Sequence, residues 1–230
     1  MSDEIVRYRL ADGVAVVAMD DGKANAISHA MMDSLDAALD RAAKEARAIV
    51  LAGRPGRFSG GFDLAAMRGG PEQAVALVGR GAELALRVYA SSLPFVIACT
   101  GHAIAMGAIL LLAADSRIGA RGDFKLGLNE VAIGLALPPF AMHLAAARLS
   151  KRHLVRSALA AEIYGPAEAI DAGFLDAVVA PDDLEAEAES AARRLTALDA
   201  LAFRTTKAAL RAETIARIRA EEPTLRKLEC

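Results

Sequence analysis

Residues 93–135 read LPFVIACTGHAIAMGAILLLAADSRIGARGDFKLGLNEVAIGL, and the interpretation of this stretch decides the fold. From Val88 to Ala114 the chain carries no Asp, Glu, Lys or Arg, so the segment belongs either to a protein core or to a membrane. A spanning helix needs ~20 predominantly apolar residues in succession. This run is cut by Pro94, by Thr100-Gly101-His102 and by Gly107. Pro94-Phe95-Val96-Ile97 therefore reads as a buried strand and Thr100-Gly101-His102 as a turn, while Met106 to Ala114 reads as a buried helix closed by Asp115. Two short strand-like pieces follow. Then one acid, Glu130, stands between Leu126-Gly127-Leu128 and Val131-Ala132-Ile133. Burying a carboxylate among apolar neighbours is costly unless it is paired or used, and desolvation raises its pKa toward the range of a general base. A structural buried acid would leave the same signature.

On the N-terminal side, Ile5-Val6-Arg7-Tyr8 and Val14 to Met19 flank Asp12-Gly13 and suggest a hairpin. Ser28 is placed to cap a helix in which Met31, Leu35, Ala38, Leu39, Ala42 and Ala46 recur at helical spacing. Ala48 to Ala52 is an unbroken apolar run, expected of a strand covered on both faces, so the order begins β-β-α-β. In Phe58-Ser59-Gly60-Gly61-Phe62-Asp63-Leu64 two glycines lead into an Asp that caps a short helix to Met67. Backbone N–H groups there can point into a pocket, although the stretch also reads as an ordinary turn. Pro71 opens a helix to Tyr89, with Glu83 and Arg87 spaced as an i,i+4 pair.

On the C-terminal side, Pro138-Pro139 precede an Ala-rich helix to Leu149, and Gly165-Pro166 precede a short helix ended by Gly173. A strand-like Asp176-Ala177-Val178-Val179 follows. Beyond Asp183, residues 184–198 and 200–220 are helical, rich in Ala, Glu and Arg, and lack strands. With no sheet of its own to cover, this pair is expected to pack on the core or on another subunit.

A chain of 230 residues is long enough to bury most of its apolar surface. The net charge of -2 provides no field for nucleic acid or anionic lipid, so Lys151-Arg152-His153 and Arg156 read as a basic helix surface and not as an RNA site. Two cysteines, Cys99 and Cys230, make a poor disulfide framework, and the first thirty residues lack the apolar core of a signal peptide. A reducing, cytoplasmic setting is expected. No G-x-S-x-G surrounds Ser59, and Gly79-Arg80-Gly81-Ala82-Glu83-Leu84 lacks the last glycine of a dinucleotide fingerprint. His29, His102, His143 and His153 have no ligand spacing, so no metal is expected.

Taken as an ordered set, Asn25-Ala26-Ile27, Phe58 to Leu64, Thr100 to Ala108, Asp115-Ser116-Arg117-Ile118, Glu130 to Gly134 and Ala167 to Phe174 resemble the enoyl-CoA hydratase/isomerase (crotonase) superfamily over nearly the whole chain. The resemblance implies an α/β fold, a spiral of β-β-α units over residues 1–182, followed by a helical oligomerisation region over 183–230 that builds a homotrimer or a dimer of trimers. It implies acyl-CoA thioester substrates, coenzyme A being carried by the substrate and no separate cofactor being needed. The enolate oxygen would be held by the backbone N–H groups of Phe62 and Met106, the latter at a helix start where free amides favour an anion. Lys23, Ala24 and Ala26 would line the adenine and pantetheine path, with Asp63 and Leu64 beside the first donor. Arg204, Lys207 and Arg211 would share one face of the last helix and meet CoA phosphates, unless that face is merely solvated.

The acids depart from the pattern of the family's hydratases, which use two glutamates. The first of those positions falls on Ile109, and Glu130 stands alone. Adding water needs a base for the water and usually an acid for C2, whereas moving a double bond from C3 to C2 needs one base that takes a proton from C2 and returns it at C4. The resemblance therefore implies Δ3,Δ2-enoyl-CoA isomerisation. The alternatives are an enoyl-CoA hydratase of fatty acid β-oxidation and a non-catalytic acyl-CoA-binding subunit.

Overall fold

The computed structural model describes residues 4–221; Asp3 and Cys230 lie outside them, and the expected C-terminal region is described as far as Glu221. The first half comprises β1 (Val6–Ala11), β2 (Val14–Met19), α1 (His29–Glu45), β3 (Ala48–Ala52), β4 (Gly56–Ser59), α2 (Leu64–Met67), α3 (Pro71–Tyr89), β5 (Phe95–Cys99), β6 (Gly101–Ile104) and α4 (Met106–Ala113). The second comprises β7 (Ser116–Ala120), β8 (Leu126–Gly127), α5 (Pro139–Arg148), α6 (Lys151–Ala158), α7 (Pro166–Ala172), β9 (Ala177–Val179), α8 (Leu184–Thr196) and α9 (Ala200–Glu221).

The expected hairpin forms, with Val6 opposite Met19 and Ala11 opposite Val14. Its turn, Asp12-Gly13, holds φ values of 52° and 77°, a positive pair whose twist suits flanking antiparallel strands. From β2 onward the large sheet is parallel, in the order β1-β2-β3-β5-β7-β9. A smaller parallel sheet, β4-β6-β8, is built alongside it. In sequence, β3 is followed by β4, β5 by β6 and β7 by β8, so each turn of the chain gives one strand to each sheet. That alternation is the expected spiral.

The main core lies on one face of the large sheet, where α1 contributes Met31, Met32, Leu35, Leu39 and Ala42, and α4 is buried along its whole length. Ser28 caps α1 by accepting the Met31 N–H at 3.2 Å. The opposite face of the sheet is covered by α8 through Leu184, Ala188, Ala191 and Ala192. The expectation that the last helices have no sheet to cover is thus corrected for α8. The sheet's outer face is itself apolar, through Val14, Val16, Val50, Val96 and Ile118, and needs a lid.

Two strands were read as turns. Gly101 lies in β6 because a β-carbon there would come within 2.0 Å of the Gly56 carbonyl carbon; its glycine marks a close strand crossing and not a chain reversal. Phe58 and Ser59 likewise end β4, and the turn comes after them. The Glu83–Arg87 pair is also corrected. Arg87 reaches across to Asp36 at 2.9 Å and Asp40 at 2.5 Å on α1, while Glu83 lies 3.4 Å from Arg80. Tertiary partners that hold two helices together have displaced the local one.

Candidate active site

Phe62, Met106 and Glu130 each follow the carboxyl end of one of the three strands β4, β6 and β8, which are adjacent and parallel. In parallel sheets the carboxyl ends of strands are where the chain leaves backbone groups and loops free for ligands. Three residues far apart in sequence are therefore gathered at one edge of one small sheet. The register ties them together: Ile104 pairs with Gly127, and the Ala105 N–H donates to the Gly127 carbonyl at 3.0 Å, one residue before Met106 and three before Glu130.

The first amide is presented by a bridge. Ile27 donates to the Gly61 carbonyl at 2.8 Å and accepts from the Asp63 N–H at 3.3 Å. Successive amides of an extended chain point to opposite edges, so the Phe62 N–H faces away from Ile27. The second amide is that of Met106, the first residue of α4, which has no intrahelical acceptor. Among the described residues no hydrogen bond occupies either N–H. Ala105 precedes it with φ 51° and ψ -120°, a strained conformation for a residue with a β-carbon. Gly61, with φ 97°, nests against this turn: a β-carbon on it would lie 2.9 Å from the Ala105 methyl and 3.6 Å from the Met106 nitrogen. The side chains of Phe62 and Met106 both run to α3, where a β-carbon on Gly81 would come within 2.3 Å of the Phe62 ring and 3.6 Å of the Met106 methyl.

Glu130 is 7% exposed, and its Oε2 has no hydrogen-bond partner. Burial pushes its pKa up, partly offset by the backbone N–H groups of Glu130 and Asn129. It begins the short 3-10 turn Val131–Ile133, whose Val131 and Ile133 project outward, so the acid is buried inward while its apolar neighbours line the surface. Ile109 is fully buried on α4.

The loop that carries Lys23, Ala24 and Ala26 is fastened beside the first amide. The Gly60 N–H donates to the Ala24 carbonyl at 2.8 Å, and Arg54 donates to the Lys23 carbonyl at 2.9 Å. Within the loop, Asp21 accepts from the backbone N–H groups of Lys23, Asn25 and Ala26 at 2.7, 2.8 and 3.1 Å. Burial would raise its pKa, but these three amides and Arg54 outweigh that and hold the carboxyl below its usual range. Lys23 itself is exposed, and Leu64 is exposed beside Asp63, whose carboxyl caps α2 by accepting the Ala65 N–H at 2.8 Å.

Lys207 lies elsewhere. It and Arg211 turn inward, with Lys207 Nζ on Asp115 Oδ2 at 2.7 Å and Arg211 on Asp115 Oδ1 at 2.7 Å, while Arg204 is exposed. The expected shared cationic face is corrected: two of its three members are buried and spent on one carboxylate. A cavity of about 510 Å3 opens beside them, lined by Phe203, Leu210 and Arg148 among others, away from Phe62, Met106 and Glu130. Volume alone would have pointed there; the unpartnered amides and acid point to the small sheet. Sequence reading quoted Asn25, Ser59 and Gly81 inside motifs and gave none of them a role in the site. The first two were visible only as polar members of the family-like motifs, and Gly81 only as part of a failed fingerprint.

A spiral that gives strands in turn to a large sheet, parallel from β2 onward, and to a small parallel one is the architecture of the crotonase fold. The family model for enoyl-CoA hydratase/isomerase matches residues 9–227, and this chain belongs to that family. Among curated proteins it is 31% identical over 211 residues to human mitochondrial enoyl-CoA delta isomerase 1, covering 90% of this chain and 70% of that protein. It is 33% identical over 220 residues to a probable enoyl-CoA hydratase of Rhodobacter capsulatus, covering 92% and 83%. Among solved structures, an enoyl-CoA hydratase/isomerase family protein from Pseudomonas syringae superposes with a TM-score of 0.95 at 40% identity, covering 98% of each chain. Among the described residues no helix is long and apolar enough to cross a membrane, and no group of three His, Cys, Asp or Glu is placed to hold a metal.

Proposed function

We propose that this enzyme is a Δ3,Δ2-enoyl-CoA isomerase. The observation that carries the reading is the buried carboxyl of Glu130, the one buried acid among the described residues, with Oε2 unpartnered, while Ile109 on α4 supplies no second acid. In the proposed reaction the thioester carbonyl sits between the Phe62 and Met106 N–H groups. Glu130 takes a proton from C2, the electron pair moves into a dienolate whose negative oxygen the two amides hold, and Glu130 returns the proton at C4. The double bond thus passes from C3–C4 to C2–C3 with no net change in composition. Amides already aimed at the developing charge need no reorganisation, and one such donor is worth about 10²–10³ in rate. The α4 dipole adds to the effect at Met106.

Lys23, Ala24 and Ala26 are assigned to the adenine and pantetheine path, and Asp63 and Leu64 to the entrance beside the first amide. The outward side chains of Leu198, between α8 and α9, and of Leu201 and Leu210 on α9 are assigned to contact between copies, as a homotrimer or a dimer of trimers. The test is incubation with 3-enoyl-CoA and 2-enoyl-CoA. Isomerisation is followed by the ultraviolet absorbance of the conjugated thioester and hydration by the gain of one water in mass. Isomerisation should exceed hydration; dominant hydration would make the enzyme a hydratase instead.

A further inference from the structure

We propose that Ser59 is a positioning residue that holds the amides of Phe62 and Met106 in one frame and ties that frame to the Lys23–Ala26 loop. The inference rests on the reading of those amides as the carbonyl-binding pocket.

Ser59 is fully buried at the end of β4, and its hydroxyl is used twice. It donates to the Asn25 carbonyl at 2.8 Å and accepts the Gly61 N–H at 3.2 Å. The first bond reaches the loop; the second fixes the residue immediately before Phe62. The backbone of Ser59 reaches the other amide. A β-carbon on Gly107 would lie 2.5 Å from the Ser59 carbonyl oxygen and 2.9 Å from its Cβ, so the first turn of α4 rests directly on Ser59, one residue after Met106.

The far end of this linkage is rigid. Asn25 is fully buried with φ 49°, and its side-chain amide donates to the carbonyls of Met19, Arg57 and Phe58 at 3.0, 3.2 and 3.2 Å, while its Oδ1 accepts the Asp21 N–H at 3.0 Å. A side chain with all its donors committed cannot shift without breaking several bonds, so the Asn25 carbonyl is a fixed anchor for Ser59. Nothing in this cluster touches the reacting atoms. Its effect is exerted through where the two N–H groups point, and a displacement of about 1 Å at such a site is enough to cost ~100-fold in rate.

The experiment compares two unreactive ligands of equal chain length, a saturated acyl-CoA thioester and the corresponding S-alkyl-CoA thioether, which lacks the carbonyl oxygen. The native enzyme should bind the thioester more tightly. In Ser59→Ala that preference should shrink about tenfold, the worth of one well-made hydrogen bond to a polarised oxygen, with thioether affinity held within about twofold. Ser59→Cys, similar in size and a poor hydrogen-bonding partner, should behave alike and serves if Ser59→Ala does not fold. Retention of the full preference in either variant, or an equal loss for both ligands, overturns the role of Ser59. A native enzyme that does not distinguish the two ligands overturns the pocket reading itself, and the inference with it.

Discussion

Lys207 Nζ lies 2.7 Å from Asp115 Oδ2, joining the last helix to the residue just before β7. The same carboxylate holds Arg211 and accepts the Phe95 N–H at 2.7 Å, so one acid pairs with two buried cations and anchors a core strand. Removing one partner of a buried ion pair costs about 3–5 kcal/mol because the other is left charged and desolvated. Asp115→Asn should therefore lower stability by about that amount, read as an earlier urea midpoint, with faster amide exchange concentrated in α9. An unchanged midpoint would mean that the pair is idle.

In the proposed reaction Glu130 must be ionised to serve as the base, and its burial raises the pKa of that ionisation. The isomerisation rate should accordingly rise with pH through an ionisation lying above the ordinary carboxylate range, and then level off. Glu130→Gln should lose isomerisation and hydration alike, by at least about 100-fold. A rate profile already flat at the usual carboxylate pKa, or an active Gln variant, would remove Glu130 from its role.

The same burial has the opposite effect on stability. Between its unfolded and its higher folded pKa, the native state binds more protons at Glu130 than the unfolded state, so stability falls as pH rises through that window. The contribution is intact below the unfolded pKa and lost above the folded one. Glu130→Gln cannot ionise, so its Tm should exceed the native value at neutral pH, the gap closing as the pH is lowered toward 4. A variant less stable than the native enzyme at neutral pH would show that the carboxylate is compensated in some way the geometry does not display.

The parts of this enzyme legible in sequence are those set by periodicity and by single decisive residue types. The α1 face, the cap at Ser28, the unbroken apolar strands and the isolation of Glu130 each follow from local chemistry, and each stands in the structure. What was not legible depends on contacts between distant segments. Gly101 was read as a turn because a close strand crossing and a chain reversal both demand glycine, and only the position of Gly56 separates them. Arg87 was assigned to Glu83, one turn away, because Asp36 and Asp40 are fifty residues distant until α1 and α3 pack. Lys207 was read as a ligand contact because a cation on an otherwise ordinary helix gives no sign of a half-buried acid about ninety residues earlier.

Gly81 tests the support beneath the Phe62 amide. A methyl placed there meets the Phe62 ring at 2.3 and 2.5 Å, so the ring must shift, while the Met106 methyl at 3.6 Å is only in ordinary contact. Overpacking costs about 1–3 kcal/mol, while Gly→Ala inside a helix returns about 1 kcal/mol. Gly81→Ala should therefore change Tm only modestly yet lower kcat by roughly tenfold or more, since the Phe62 amide rides on that ring. A variant with native kcat would show that the ring moves without carrying its own amide.

Ala105 offers the reverse trade. At φ 51° and ψ -120° its β-carbon is held in a conformation costing of order 1–3 kcal/mol, and the strain turns the Met106 N–H at the start of α4. Ala105→Gly relieves that cost but adds freedom to the unfolded chain worth about 0.5–1 kcal/mol. The balance favours the variant by about 1 kcal/mol, seen as a higher Tm. Activity should move the other way, because a glycine no longer confines the Met106 amide to one direction and kcat should fall with little change in acyl-CoA affinity. A lower Tm would mean that the Ala105 methyl, packed against Gly61, contributes more through contact than it costs through strain.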